Sequence, residues 1–150
     1  MEGRSPMVSR SAVANTAGRD ADYAFGRRDP SGTVRLHASR DRASGRCVFP
    51  RIPDSSPAAP RFQPVELSAS ATLYSYTVIH PNPKSGAKPF VLAYADFAEG
   101  ARVLGRLKLA EGERPVIGMV LMVDVAETAP DAPLDSPPTY VFVPLRGERK

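Results

Sequence analysis

The residues best placed for binding chemistry lie in or beside one basic loop of the sequence. His80 ends the first of two strand-like runs in the segment LYSYTVIHPNPKSGAKPFVLAYADF, residues 73–97, and Lys84 and Lys88 lie between the two runs. Lysine binds phosphate as a point charge without demanding fixed geometry, so two lysines four positions apart could contact a phosphorylated ligand. The loop is also longer than a minimal hairpin turn, which favours a binding loop or a loop that reaches a partner. The alternatives are solvated lysines and a histidine hydrogen-bonded to the following turn.

No set of residues predicts catalysis by this chain alone. The two histidines, His37 and His80, have no flanking acid that would orient them. Cys47 has no base indicated beside it, and a free cysteine is usually a small buried hydrophobe. Asp96 and Asp124 are single carboxylates in apolar runs, where a paired acid and base cannot be argued without their separation. We therefore predict that the chain is not an enzyme by itself, and we predict no cofactor.

Composition indicates one all-β domain core. The chain has 150 residues, and its sixteen prolines are a high count that disfavours helices. Residues 1–62 hold eleven arginines against six acids, whereas residues 63–150 hold nine basic residues against ten acids. The excess positive charge therefore belongs to the N-terminal part, which has the composition of a solvated arm.

Location is inferred from features that the sequence lacks. A single cysteine excludes an internal disulfide and favours a reducing compartment, and no apolar run approaches the ~18 residues needed to cross a membrane. The Arg- and Ser-containing N-terminal residues leave a transit peptide as the alternative. We expect a cytoplasmic protein with no membrane contact.

The N-terminal part predicts a tail followed by a small β segment. Residues 1–30 show no useful periodicity and are expected to be a flexible tail. Residues 33–38 and 46–49 read as two short strands around an Asp-Arg-Ala-Ser-Gly turn, and the proline-rich residues that follow read as an extended connector, so we assign this segment to 31–62.

Residues 63–150 predict a five-stranded barrel. Apolar residues fall on odd positions over 65–73 and on even positions from Tyr74 to Val78, a change of phase that requires a bulge or sharp coil in one long strand. Four further runs follow at 90–98, 102–109, 119–125 and 139–145. A long bent strand, a hairpin and two more strands suit a Greek-key barrel of the oligonucleotide- and oligosaccharide-binding (OB) type, with a sandwich fragment as the competitor.

The phrases LYSYTVIHPNP, KPFVLAYADFAEGARVLGRL and PVIGMVLMVDV are similar to those of a known family. Over residues 35–145 the chain resembles the acyl-CoA-associated barrel family, a domain of unknown function in which a zinc ribbon precedes an OB-fold. Aligned on that ribbon, Asp41 and Ser44 stand at the first cysteine pair, residues 54–58 lack the second, and Cys47 is not at a ligand position. A structural zinc ion needs four thiolate or imidazole ligands, and this segment does not supply four. We therefore predict a degenerate ribbon without zinc.

The resemblance implies an accessory subunit. Such a subunit binds a thiolase-like acyltransferase, aldolase or hydratase and helps enclose its acyl-CoA substrate, with Lys84 and Lys88 available to coenzyme A phosphates. A homodimer is the alternative cover for the apolar surface of residues 90–98. The competing function is a single-stranded nucleic-acid module, in which Tyr74 and Tyr76 would stack on bases and Arg102 and Arg106 would follow the backbone. A near-neutral barrel without tryptophan argues against nucleic acid.

Overall fold

Prolines and short alternating runs give this chain ten strands and no α-helix within residues 21–126 and 138–145, the part that the computed structural model describes. Two single-turn 3-10 helices, Ala59–Arg61 and Pro83–Ser85, each include proline, which presets the backbone angle of a turn. Those described residues contain no helix whose length and apolar character would let it span a bilayer.

The first five strands form an N-terminal sheet. They are β1 (Ala21–Tyr23), β2 (Gly26–Arg28), β3 (Val34–Asp41), β4 (Cys47–Val48) and β5 (Phe62–Glu66). The longest strand, β3, is the centre, because β2, β4 and β5 all pair with it in antiparallel fashion. The predicted ribbon strands and the turn between them are therefore present, as β3 and β4 of a larger sheet.

Two sequence expectations differ from the structure here. Residues 21–28 form a hairpin of two strands where we had expected only tail, and residues 1–20 lie outside the described residues. Val65 belongs to β5, which pairs with β3, and not to the first barrel strand. The continuous odd-position pattern hid this change of sheet, because Leu67 and Ala71 are both buried, one at the junction and one in the barrel.

The remaining strands close a five-stranded barrel. They are β6 (Ser70–Ile79), β7 (Phe90–Asp96), β8 (Arg102–Leu107), β9 (Val120–Val125) and β10 (Tyr140–Pro144). Around the barrel the order is β10-β8-β7-β6-β9, with β10 antiparallel to β9 and parallel to β8. This is the OB-fold topology, so the predicted all-β OB-fold with a preceding β segment is confirmed.

The bulge predicted in the long first barrel strand is present. The pairing of β6 with β7 shifts between Leu73 and Ser75, as the change of apolar phase required. The apolar residues at even positions after the bulge are partly exposed, Tyr76 at 41% and Val78 at 42%. The reason is that β9 pairs with β6 only over residues 70–72, so the second half of β6 extends beyond the closed part of the barrel.

A shared aromatic cluster joins the N-terminal sheet to the barrel. Tyr140 in β10 meets Phe25 and Phe49 edge-on, with ring centroids 5.7 and 5.4 Å apart, and lies 5.8 Å from Phe142. Gly105 in β8 leaves room for these rings, because a Cβ atom there would lie 2.7 Å from Tyr140 and 2.8 Å from Phe142. One hydrophobic core therefore includes residues of both sheets.

Candidate functional site

The outer side of β6, β7 and β8 carries exposed apolar side chains. Tyr74, Tyr94 and Leu104 are 49%, 42% and 45% exposed, and Tyr94 lies directly opposite Leu104 in the register of β7 and β8. On its β6 side, Tyr94 pairs with Ser75, the residue next to Tyr74 in the bulge. We call Tyr74, Tyr94 and Leu104 the strand face. Adjacent large apolar side chains on an exposed sheet are typical of a surface that another molecule covers.

Stacked arginines border the strand face. The Arg102 guanidinium lies 3.4 Å from the centre of the Tyr74 ring and donates to both Asp96 carboxylate oxygens at 2.7 and 3.0 Å. Arg106 lies 3.8 Å from the centre of the Phe90 ring. One face of the Tyr74 ring is thus covered by Arg102, which leaves only the other face for stacking on a base. The charge of Arg102 is paired with Asp96, so it is less able to neutralise a phosphate.

The predicted ligand residues share the loop between β6 and β7. His80 directly follows β6, Lys84 lies in the 3-10 turn Pro83–Ser85, and Lys88 precedes β7 by two positions. The Asn82 side chain accepts a hydrogen bond from the Lys84 backbone N–H at 2.9 Å, which fixes the turn. All three predicted side chains are exposed, and within the described residues none of them makes a hydrogen bond or ion pair. The structure places them on one loop and does not bring them into contact.

A cleft beside this loop contains two cationic side chains that the sequence analysis did not assign to acyl-CoA binding. Phe90, Arg106, Lys108 and Asp124 line a volume of about 400 Å³ at the start of β7. Arg106 and Lys108 alternate along the sequence of the run at 102–109, but this spacing alone does not reveal that they flank a cleft. Lys88 is two residues from Phe90 in the chain, so the loop leads directly to this cleft.

An ion pair occupies the region where the resemblance would put zinc. Asp41 is 5% exposed, and its Oδ2 accepts hydrogen bonds from Arg61 at 2.7 and 3.1 Å while its Oδ1 accepts from the Ala43 backbone N–H at 2.9 Å. These bonds, that from Arg61 above all, hold the pKa of Asp41 well below its usual range. No cluster of three or more His, Cys, Asp or Glu exists among the described residues. That the protein binds no zinc stays a prediction, checked by elemental analysis of the purified chain.

The sulfur and imidazole groups do not form a reactive pair. Cys47 is partly buried in β4, and burial raises the pKa of its thiol, which disfavours the thiolate. His37 lies 3.3 Å from the Glu66 carboxylate, in the N-terminal sheet. Within the part of the chain that the structure describes, no hydrogen bond joins Cys47 to a base.

Comparisons with known proteins agree with this geometry. Residues 64–126 match the family model described as the C-terminal OB-fold domain of ChsH2. A DUF35 domain-containing scaffold protein of Methanocaldococcus jannaschii is 37% identical over 60 residues, which are 39% of this chain and 43% of that protein. The solved structure of an Ltp2-ChsH2(DUF35) aldolase superposes with a TM-score of 0.54 at 26% identity, covering 73% of this chain and 84% of that one.

These matches support a DUF35-type OB-fold family for the barrel and confirm the family resemblance noted in the sequence. The alignment spans less than half the length of the curated relative.

Proposed function

We propose that this chain is a non-catalytic accessory subunit that binds a thiolase-like acyltransferase, aldolase or hydratase and helps enclose its acyl-CoA substrate. The observation that carries the proposal is the strand face, Tyr74, Tyr94 and Leu104, which stays exposed on a barrel whose interior is already filled. Aromatic side chains are enriched where proteins dock on one another.

The relatives support a role in assembly. One is named a scaffold protein, and the other lies in a structure named for an aldolase together with ChsH2(DUF35). The described residues of this chain contain no paired nucleophile and base, so the enzyme would supply the reacting groups. The barrel would supply shape and the basic loop a contact for the substrate. We propose a cytoplasmic location for the complex.

Docking through the strand face is tested by co-expression with thiolase-like, aldolase and hydratase candidates, beginning with any that is encoded beside this chain. Leu104→Asp buries a charge at the interface and is expected to weaken binding of the partner enzyme by at least about tenfold. Val48→Asp is the matched control, because Val48 is 37% exposed in β4 and should tolerate the same change. Enzyme binding that is unchanged in Leu104→Asp, or no binding by the wild-type chain, contradicts the proposal.

The loop lysines are proposed to contact coenzyme A phosphates. Lys84→Ala with Lys88→Ala should raise the KM for the acyl-CoA by about fivefold, the effect of losing about 1 kcal/mol of charge-assisted hydrogen bonding, and should leave assembly intact. His80→Ala should act in the same direction. Arg114→Ala, in the exposed loop between β8 and β9, is the control cation. Unchanged steady-state kinetics in the double variant would mean that this loop is only a spacer.

A single-stranded nucleic-acid module is the competing function, since this fold permits it. The pairing of Arg102 with Asp96 and its stacking on Tyr74 argue against it. We expect no saturable binding of mixed single-stranded DNA near physiological salt by fluorescence anisotropy. Micromolar binding that falls steeply with salt would favour the nucleic-acid function.

A further inference from the structure

The second half of β6 has one open edge. Leu73 directs its backbone N–H and C=O to Met119 and Gly118 at the start of β9, away from β7. Beyond this point no described strand pairs with β6 on that side, because the register with β9 ends at Thr72. Residues 75–79 therefore have β7 on one side and no described neighbour on the other.

The register identifies which backbone groups face the open edge. In an antiparallel ladder, alternate residues direct both backbone groups to the same neighbouring strand. The Phe97 N–H donates to Ala101, so the odd-numbered residues of β7 bond towards β8 and the even-numbered ones towards β6. Tyr76 and Val78 lie opposite the odd-numbered Ala93 and Val91. The N–H and C=O groups of Tyr76 and Val78 consequently point outwards.

The side chains at this edge carry no charge. Tyr76 and Val78 are 41% and 42% exposed and lie on one face of the strand, and residues 75–79 read Ser-Tyr-Thr-Val-Ile. Edge strands are normally blocked by charges, proline or a covering element, because an open uncharged edge pairs with another chain. Within residues 75–79 the sequence offers no charge and no proline.

We propose that this edge pairs with the same edge of a second copy of the chain, forming a two-fold symmetric dimer in which the sheet continues from one barrel to the other. Antiparallel pairing centred on Thr77 places Tyr76 opposite Val78 of the second copy, and Val78 opposite its Tyr76. The outward groups of these residues then exchange four backbone hydrogen bonds.

The side-chain pairing in this register favours a second copy over an unrelated strand. Aromatic side chains opposite β-branched ones, and threonine opposite threonine, are favourable cross-strand pairs. The two-fold register produces both kinds, Tyr76 with Val78 twice and Thr77 with itself, and brings no charge opposite another. One uncharged five-residue sequence is thus complementary to itself.

The dimer goes beyond the proposed accessory function and uses other residues. Tyr94 and Leu104 of the strand face lie on β7 and β8, and Tyr74, although it lies on β6, precedes the open edge at residues 75–79. Leu104→Asp tests enzyme docking whether or not the dimer forms, so either proposal can fail without the other.

The first test measures the mass of the purified full chain by sedimentation equilibrium. The wild type is expected at twice the chain mass of 16.1 kDa. Thr77→Lys places two like charges across the two-fold axis and should raise the dimer dissociation constant at least about tenfold. Thr72→Lys, at an exposed position where β6 is paired on both sides, is the matched control and should leave the dissociation constant unchanged. Mixing Thr77→Lys with Thr77→Glu should restore the dimer, which a misfolded variant could not do.

The second test reads the edge directly by amide hydrogen exchange. Thr77 and Ile79 donate towards β7, so their amides should be protected at every protein concentration. Tyr76 and Val78 should be protected only at concentrations where the dimer is populated. A wild-type chain that stays monomeric at ~100 μM, a range in which specific pairs normally associate, overturns the proposal. So does a dimer that tolerates Thr77→Lys, or one in which Tyr76 and Val78 exchange at a rate independent of concentration.

Discussion

Asp41 is the side chain that organises the turn after β3. Its carboxylate accepts from Ala43 within the turn and from Arg61 at the end of the 3-10 helix before β5. In the zinc ribbon that the sequence resembles, the first cysteine pair would stand at Asp41 and Ser44. Here a buried carboxylate and a guanidinium join the turn to the 3-10 helix instead, which requires both charges to be present.

We predict that acid destabilises the protein partly through Asp41. Because its pKa is lowered by folding from the usual 3.8, the charged form is favoured in the native state. The resulting stability is present above the unfolded pKa and is lost as pH falls through the folded pKa. Asp41→Asn should lower the thermal midpoint at neutral pH by several degrees and flatten its dependence on pH in acid, as measured by circular dichroism.

Asp54→Asn is the matched control for that prediction. Asp54 also pairs with an arginine, Arg51 at 2.8 Å, but its side chain is 89% exposed, and exposed ion pairs contribute little. Equal midpoint losses in the two variants would show that the Asp41 pair is only a surface contact.

The sequence singled out Asp41 but did not predict its ion pair with Arg61. The ribbon frame marked it as a lost ligand, whereas its partner is twenty residues away along the chain and only the fold brings the two together. Lys84 and Lys88 were assigned to a loop and lie on one, and His80, assigned to the end of the strand, directly follows it. Whether they bind a ligand depends on a partner surface, which the sequence of one chain does not contain.

The turn between β7 and β8 is the element that attaches the barrel to the N-terminal sheet. The Glu99 carboxylate accepts from the Ser68 N–H at 3.0 Å and from the Ser68 hydroxyl at 2.7 Å, and the Glu99 backbone C=O accepts from Arg40 of β3. Burial alone would raise the pKa of Glu99, but the hydrogen bonds from Ser68 outweigh it and lower the pKa.

We predict that Glu99→Ala destabilises the fold by about 1–3 kcal/mol, the range for hydrogen bonds to a charged group. Urea unfolding measures this change. Glu111→Ala, at an exposed position in the loop between β8 and β9, removes the same side chain where the structure gives it no hydrogen bond and should be nearly neutral. A neutral Glu99→Ala would mean that the turn is held by its backbone alone.

Among elements, the sequence predicted those with a sustained pattern. The phase change near Tyr74 predicted the bulge, and the alternation from Arg102 predicted β8. The hairpin of β1 and β2 was missed because strands of three residues have no measurable period. In the sequence, only Gly26 pointed to this hairpin. The structure shows why a glycine stands there: a Cβ atom would lie 2.0 Å from the Arg35 carbonyl oxygen, so only glycine permits the pairing of β2 with β3.

At the scale of the molecule, Tyr140 packs against aromatic residues of both the N-terminal part and the barrel. Its ring packs on Phe25 and Phe49 of the N-terminal part and on Phe142 of the barrel. From the resemblance we had divided the chain into a ribbon segment and a barrel that follow one another in the sequence. The packing shows that neither part keeps its side chains covered without the other.

We predict that Tyr140→Ala lowers the stability of both sheets together, by about 3 kcal/mol as for other packed aromatic residues. Calorimetry should show one transition with equal calorimetric and van't Hoff enthalpies before and after the change. Tyr94→Ala is the control, because Tyr94 is exposed and its loss should cost less than about 1 kcal/mol. Two separate transitions in the wild type would contradict this account.

The position of Tyr140 also governs when the chain can fold during synthesis on the ribosome. β10 follows every other described strand, yet it both closes the barrel between β8 and β9 and covers Phe25 near the start of the described chain. Contacts between such distant parts of a chain form late, since the intervening loop must first be closed. Until residues 140–144 have been made, the sides of Phe25 and Phe49 that Tyr140 covers therefore lack that cover, and we expect this aromatic face to be open to contact with other chains during synthesis.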